Sequence, residues 1–91
     1  MIDSAFLDWR RRFAEYEAAL GSHVRAQALV DQLQARRTAC ATDQERSAVD
    51  EGLAVAIRRL RLTNRTLVEA TNAFIGGLSV LEAIWDAPDD I

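Results

Sequence analysis

His23 and Cys40 carry the most distinctive chemistry of this 91-residue chain, and each is the only residue of its type. An imidazole can transfer protons near neutral pH, and a thiolate can act as a nucleophile or a metal ligand. Neither residue has a neighbouring thiol or carboxylate pair that would complete a catalytic or metal site. A single cysteine also excludes a disulfide within the chain. We therefore predict no catalytic residue, no metal site and no bound cofactor.

The carboxylates and glycines of the sequence lead to the same expectation. Asp50 and Glu51 are adjacent, and Glu15 and Glu17 are two residues apart, so on a helix the members of each pair point in different directions. The pair Gly76-Gly77 is not followed by a phosphate-binding pattern and lies in an apolar, helical stretch. Two helical glycines cost about 2 kcal/mol relative to alanine. They predict either a close approach of another helix or a hinge, and the chain as a whole is not expected to be an enzyme.

The charge balance argues against nucleic-acid binding. The chain has 14 acidic and 11 basic residues, a net charge of -3 and a pI near 5.0, whereas phosphate binding needs clustered positive charge. All eleven basic residues are arginine, and seven of them form two clusters, at 10–12 and 58–65. We expect both clusters to be solvated. An antiparallel hairpin could set them against acidic residues of the other arm, namely Asp31, Glu45, Asp50 and Glu51.

Apolar periodicity predicts two long helical arms. In the first, about residues 3–38, Phe6, Trp9, Phe13, Tyr16 and Leu20 recur at steps of three and four. Gly21-Ser22 follows, and we expect a kink or a short break there. The turn at about 39–42 ends in a capping-box spacing, Thr42 to Glu45. The second arm, about 43–86, has a long heptad-like seam: Val49, Leu53, Ala56, Leu60, Thr63, Leu67, Thr71, Phe74, Leu78, Leu81 and Trp85.

These arms predict an all-α fold, a single domain in the form of an antiparallel helical hairpin. Pairing of two hairpins into a four-helix bundle is an alternative that the sequence leaves open. An acidic tail at 87–91 is expected to fray. Glu69 and Glu82 interrupt the most apolar stretch, which predicts that it does not span a membrane. Because the N-terminus resembles no secretory signal, we expect a cytoplasmic protein.

The second arm is more apolar than one facing helix can cover. A second apolar set, formed by Leu62, Val68, Ile75 and Ile84, is offset from the seam. We therefore predict that another protein binds this arm, through a helix, or that a second copy of the chain covers it. The candidate contact residues are Asn64, Leu67, Val68, Phe74, Ile75, Leu78, Leu81 and Trp85.

The segment Leu60–Val68, with the sequence LRLTNRTLV, resembles the C-terminal helix of FlgN-type flagellar export chaperones. In that family a leucine precedes an Asn-rich turn of helix that closes on a Leu-Ile pair. Asn64 and Leu67, together with the final valine, match this pattern. Arg61 and Arg65 stand where the family carries Asn and Gly.

The resemblance extends over about residues 60–85, and the apolar run in this range looks like the client-binding helix of the family. It implies a cytoplasmic chaperone that holds the helical terminus of a secretion client, a hook-filament junction protein, and delivers it to a type III export apparatus. The alternative interpretation is a homodimeric helical bundle with a structural or regulatory role, including a small inhibitor of the phage type.

Overall fold

The computed structural model describes residues 2–86, with side chains from residue 4 onward. Helix α1 spans Ile2–Ala39 and helix α2 spans Asp43–Asp86, and the two pack against each other in a rod of 77 × 15 × 13 Å. The predicted all-α antiparallel hairpin is confirmed. The predicted first arm, 3–38, is one residue shorter than α1 at each end. The acidic tail at 87–91 lies outside the described residues.

The connection between the helices is short and is held by its own side chains. The Glu45 backbone N–H donates to Thr42 Oγ1 at 3.1 Å, and the Ala41 backbone N–H donates to Glu45 Oε2, also at 3.1 Å. This is the predicted capping box, with the carboxylate reaching one residue further back than the pattern requires. Two of the N–H groups around the start of α2 are thereby satisfied, and the chain can reverse direction within residues 40–42.

Helix α1 continues through Gly21 without interruption, so the expected short break is wrong, and the alternative of a kink stays a prediction. Gly21 has an ordinary helical backbone with a negative φ. Ala19 and Ala26, on either side of it, are 7% and 5% exposed because they pack against α2. This packing outweighs the modest cost of one helical glycine, about 1 kcal/mol.

The core of the described chain is thin and consists of small and medium side chains. Five apolar residues are buried: Ala19, Ala26, Val30, Leu53 and Ala56. Val30, Leu53 and Ala56 form one cluster, against which partly buried aliphatic residues from both helices pack: Leu33, Val49, Ile57 and Leu60. Near the loop, Arg37 Nε donates to Asp50 Oδ1 at 2.5 Å, and this hydrogen bond raises the pKa of Arg37 above its ordinary value. The pair is half-exposed and joins the two helices.

Candidate protein-binding surface

Phe74, one of the predicted contact residues, packs inside the hairpin near its open end. Its ring centroid lies 5.9 Å from Trp9, 5.4 Å from Phe13 and 5.4 Å from Tyr16. Such separations give favourable aromatic contacts beyond simple burial. The indole N–H of Trp9 is buried and has no acceptor among the described residues, so the rings themselves provide the stabilisation. Phe74 therefore joins the two helices, and its role is structural.

Three other predicted contact residues share this placement. Leu67, Leu78 and Leu81 are only partly exposed. They recur with Phe74 at helical steps of three, four and seven residues, on the side of α2 that faces α1. These residues therefore pack against α1, which covers most of the seam that the sequence offered as a binding site. At the open end, Leu81 also lines a depression with Phe6 and Trp85.

The remaining predicted contact residues are exposed. Val68 is 50% exposed, Ile75 53% and Trp85 80%, and Asn64 is exposed beside them. The predicted offset set is exposed as well, since Leu62 and Ile84 are 62% and 39% accessible. The structure thus confirms that α2 carries large apolar side chains that α1 does not cover.

Helix geometry divides this exposed surface into two faces, because consecutive residues are rotated by about 100° around the axis. Thr66 and Val68 flank Leu67 on opposite sides, and Ala73 and Ile75 flank Phe74 in the same way. Thr66 and Ala73 line one groove between the helices, whereas Val68 and Ile75 do not. At these two positions the groove side carries small residues and the other side carries large aliphatic ones, while Leu62 is a large apolar residue that lines the groove.

We call the side that carries Val68 and Ile75 the Val68 face and define it by Leu20, Val24, Val68 and Ile75. Leu20 follows the buried Ala19 on α1, and Ala18, which precedes it, lines the groove on the other side. Leu20 and Val24 are 39% and 57% exposed. This face is a strip of branched aliphatic side chains formed by both helices. The sequence prediction did not include this contribution from α1. The signal for it is that Leu20 and Val24 each directly follow a residue that faces α2, Ala19 and His23 respectively.

We call the other side the groove face and define it by three neighbouring depressions. The central one has a volume of about 710 Å³. A second of about 350 Å³ shares Ser22 and Thr63 with it and continues toward the loop, and a third of about 520 Å³ lies beside the loop. Most residues that line the central depression are small: Ala18, Ala19, Ser22, Thr63, Thr66, Ala70 and Ala73. Small side chains permit another helix to approach closely.

Arg12 explains the glycine pair of α2. Arg12 Nη1 donates to the Ala73 carbonyl at 2.9 Å, and Arg12 Nε donates to Asp8 Oδ2 at 2.8 Å. A Cβ atom at Gly77 would lie 3.0 Å from Arg12 Cδ, while one at Gly76 would lie 3.6 Å from Arg12 Nη1. A close approach is therefore present at Gly77, and the approaching group is an arginine side chain from α1, whereas the contact at Gly76 has an ordinary van der Waals distance.

We expect Gly76→Ala to stabilise the hairpin by about 1 kcal/mol, the difference in helix propensity. Gly77→Ala should stabilise it clearly less, because the new methyl group displaces Arg12 from the Ala73 carbonyl. Urea unfolding followed by circular dichroism measures both variants at one protein concentration.

Repeating both substitutions in an Arg12→Ala background provides the control, since the two glycine sites should then give equal gains. An undiminished difference between the two sites without Arg12 would show that this side chain is not the reason for Gly77.

The arginine clusters do not form the predicted pairs across the hairpin. Arg11 and Arg12 both bind Asp8 on their own helix, and within the described residues the one ion pair between the helices is Arg37 with Asp50. Arg58, Arg59, Arg61 and Arg65 have no carboxylate within 4 Å in the described part of the chain. The second cluster is therefore available to solvent or to another molecule.

The two residues with distinctive chemistry lie far apart. His23 Nδ1 is 3.4 Å from Thr63 Oγ1 across the helix pair, and the Cys40 thiol donates to the Arg36 carbonyl at 3.2 Å near the loop. Within residues 4–86, no three His, Cys, Asp or Glu side chains are grouped in a way that could hold a metal ion. His23 thus serves as a contact between the helices in the geometry observed.

By length and composition, α2 could also cross a membrane. It contains an 18-residue window with a mean hydropathy of 1.3, of which 6% is buried. The segment of α1 beside the apolar end of α2 is highly charged, with Asp8, Arg10, Arg11, Arg12, Glu15 and Glu17 between positions 8 and 17. Such a segment is costly to place in hydrocarbon.

Comparison with known proteins leaves this surface as the main guide to function. No family model, no curated protein and no solved structure matches the chain.

Proposed function

We propose that the hairpin is a cytoplasmic protein-binding adaptor that sequesters a helical segment of another protein on its Val68 face. The observation that carries this proposal is the strip of Leu20, Val24, Val68 and Ile75, each at least 39% exposed and none covered by the other helix. An amphipathic helix that lays its apolar side on two parallel rows of aliphatic residues is a common mode of recognition.

The chemistry of the surface supports this function over catalysis. The strip contains branched aliphatic groups and no convergent set of titratable side chains, which suits burial of apolar area rather than bond formation. Asn64 lies at its edge and can hydrogen-bond to a partner backbone or side chain. A secretion client, as the resemblance to FlgN-type chaperones implies, is the first candidate for the bound segment.

A photo-crosslinking experiment in the native cells tests the proposal. Benzoylphenylalanine is introduced at position 68 or 75, and position 65, an exposed arginine outside the strip, is the control. We expect positions 68 and 75 to give an adduct with the same heterologous protein and position 65 to give none. Adducts with a second copy alone, or no adduct at either position, would contradict the adaptor function.

Charge placed on the strip should abolish this capture without unfolding the hairpin. The variant Val68→Asp/Ile75→Asp is expected to lose the partner, because an unpaired carboxylate would be buried in the complex. Val55→Asp is the matched control, since Val55 is 59% exposed and is not part of the strip. It should retain the partner if the Val68 face is the binding surface. Circular dichroism of each purified variant should show unchanged helicity.

A further inference from the structure

We infer that the groove face binds a second copy of this chain, antiparallel to the first, to form a four-helix bundle. This inference goes beyond the adaptor function, because it assigns a different face and a different occupant. It rests on three features of the groove face: the position of its charges, the position of its small residues, and the coincidence of its centre with the middle of the rod.

Four charged side chains flank the central part of the groove face. Glu15 and Glu69 lie at the end toward the helix termini, and Arg25 and Arg59 lie toward the loop. All four are exposed, and none forms an ion pair with another described residue. On each helix the acidic and basic residues are about 15 Å apart, from ten residues at 1.5 Å each.

The midpoint between these charges is also the middle of the molecule. It falls at residue 20 on α1, between Glu15 and Arg25, and at residue 64 on α2, between Arg59 and Glu69. Helix α1 runs over residues 2–39 and α2 over 43–86, so residues 20 and 64 lie at their centres. A two-fold axis across the rod at this level would bring each glutamate opposite the matching arginine of the second copy.

The same axis overlaps the two copies along their full length. The face of the rod measures 77 by 15 Å, about 1,150 Å² as a footprint, which exceeds the 800 Å² or so that a partner contributes to a standard specific interface. At the centre, Ala18, Ser22 and Thr66 allow the helices to approach to the 8–10 Å typical of packed bundles.

Exposed apolar residues near the open end fit the loop end of the second copy. Val80 and Ile84 precede the seam residues Leu81 and Trp85, so they lie on the groove face. The axis places them opposite the depression beside the loop, which is lined in part by Ala48, Val49 and Gly52. Large side chains on one copy thereby meet small ones on the other.

The charges also select this orientation over a parallel one. If the axis ran along the rod, Glu15 would face Glu69 of the second copy and Arg25 would face Arg59. Like charges in direct opposition across an interface are destabilising. Of the two possible two-fold dimers of the groove face, only the antiparallel one therefore pairs each glutamate with an arginine.

Sedimentation equilibrium of the full chain tests the inference. We expect a mass twice that of the 10.1 kDa chain. Glu15→Arg and Arg25→Glu should each raise the dissociation constant by about tenfold or more, because each creates two like-charge contacts. Combined in one chain, the two substitutions restore opposite charges and should return the dissociation constant to near that of the unmodified protein. Glu17→Arg, with the same charge change outside the groove, should leave it unchanged.

Three results would overturn the inference: a monomer at high protein concentration, a dimer that neither single charge reversal weakens, or single variants whose defect the double variant does not repair. The adaptor function is tested separately, at positions 68 and 75. If the full chain is monomeric but positions 68 and 75 still give the heterologous adduct, the second copy is rejected and the adaptor function stands. If the chain dimerises but gives no heterologous adduct, only the adaptor function is rejected.

Discussion

Replacing Phe74 with alanine is expected to destabilise the hairpin by about 3 kcal/mol, the lower end of the range for such truncations, since the ring is half-buried. Phe74 contacts Trp9, Phe13 and Tyr16, which are three successive aromatic residues of the α1 stripe. No other described residue of α2 is seen to hold this end of the hairpin through ring contacts. The truncation therefore removes both apolar burial and the aromatic contacts between the helices.

Urea unfolding followed by circular dichroism measures this loss, at one fixed protein concentration because association would shift the midpoint. Ile75→Ala is the matched control on the next residue. Ile75 is 53% exposed on the Val68 face, and we expect its truncation to change the free energy of unfolding by about 0.5 kcal/mol or less. Equal effects at the two positions would contradict the placement of Phe74 inside the hairpin.

Enlarging Ala56 is the second substitution with a large expected effect. Ala56 is 3% exposed and packs with Val30 and Leu53 at the tightest part of the core. Ala56→Leu should destabilise the hairpin by about 1–3 kcal/mol, because the additional carbons must either push the helices apart or force neighbouring side chains into strained rotamers. A core this thin has few other contacts that can absorb the displacement.

The control for this substitution is Ala54→Leu, two residues earlier on α2. Ala54 is exposed, and leucine has nearly the same helix propensity as alanine, so its effect should be close to zero. Thermal unfolding of the two variants separates steric crowding from any effect of leucine itself. A neutral Ala56→Leu would mean that the helices are further apart at this level than the structure shows.

The local features of the hairpin follow from short-range rules that can be applied to the sequence alone. Steps of three and four apolar residues predict both arms, and the Thr42 to Glu45 spacing predicts the cap that starts α2. The exception is Gly21, whose turn signal was overridden. Helix propensity is a local quantity of about 1 kcal/mol here, whereas the burial of Ala19 and Ala26 depends on packing against α2, a separate helix that begins only at Asp43.

The candidate binding surface could be predicted only in part. The apolar excess of α2 is visible in its composition, and Val68, Ile75 and Trp85 are exposed as expected. Phe74 and the three seam leucines were assigned to the same surface because a helical wheel cannot say which of two apolar stripes a neighbouring helix will cover. That choice depends on the aromatic residues of α1, which reach Phe74 only when the chain folds back on itself.

The sequence by itself determined two long amphipathic helices, their reversal near residue 40 and an apolar excess in the second helix, since periodicity and capping act between residues close in the chain. Only the tertiary structure decided which stripe is interior, which side chain packs against Gly77, and how the exposed residues separate into an aliphatic face and a groove lined mostly by small residues. These features arise from contacts such as Arg12 with Ala73 and His23 with Thr63. Such contacts join residues at least forty positions apart, and their register is set by packing of the whole helix pair.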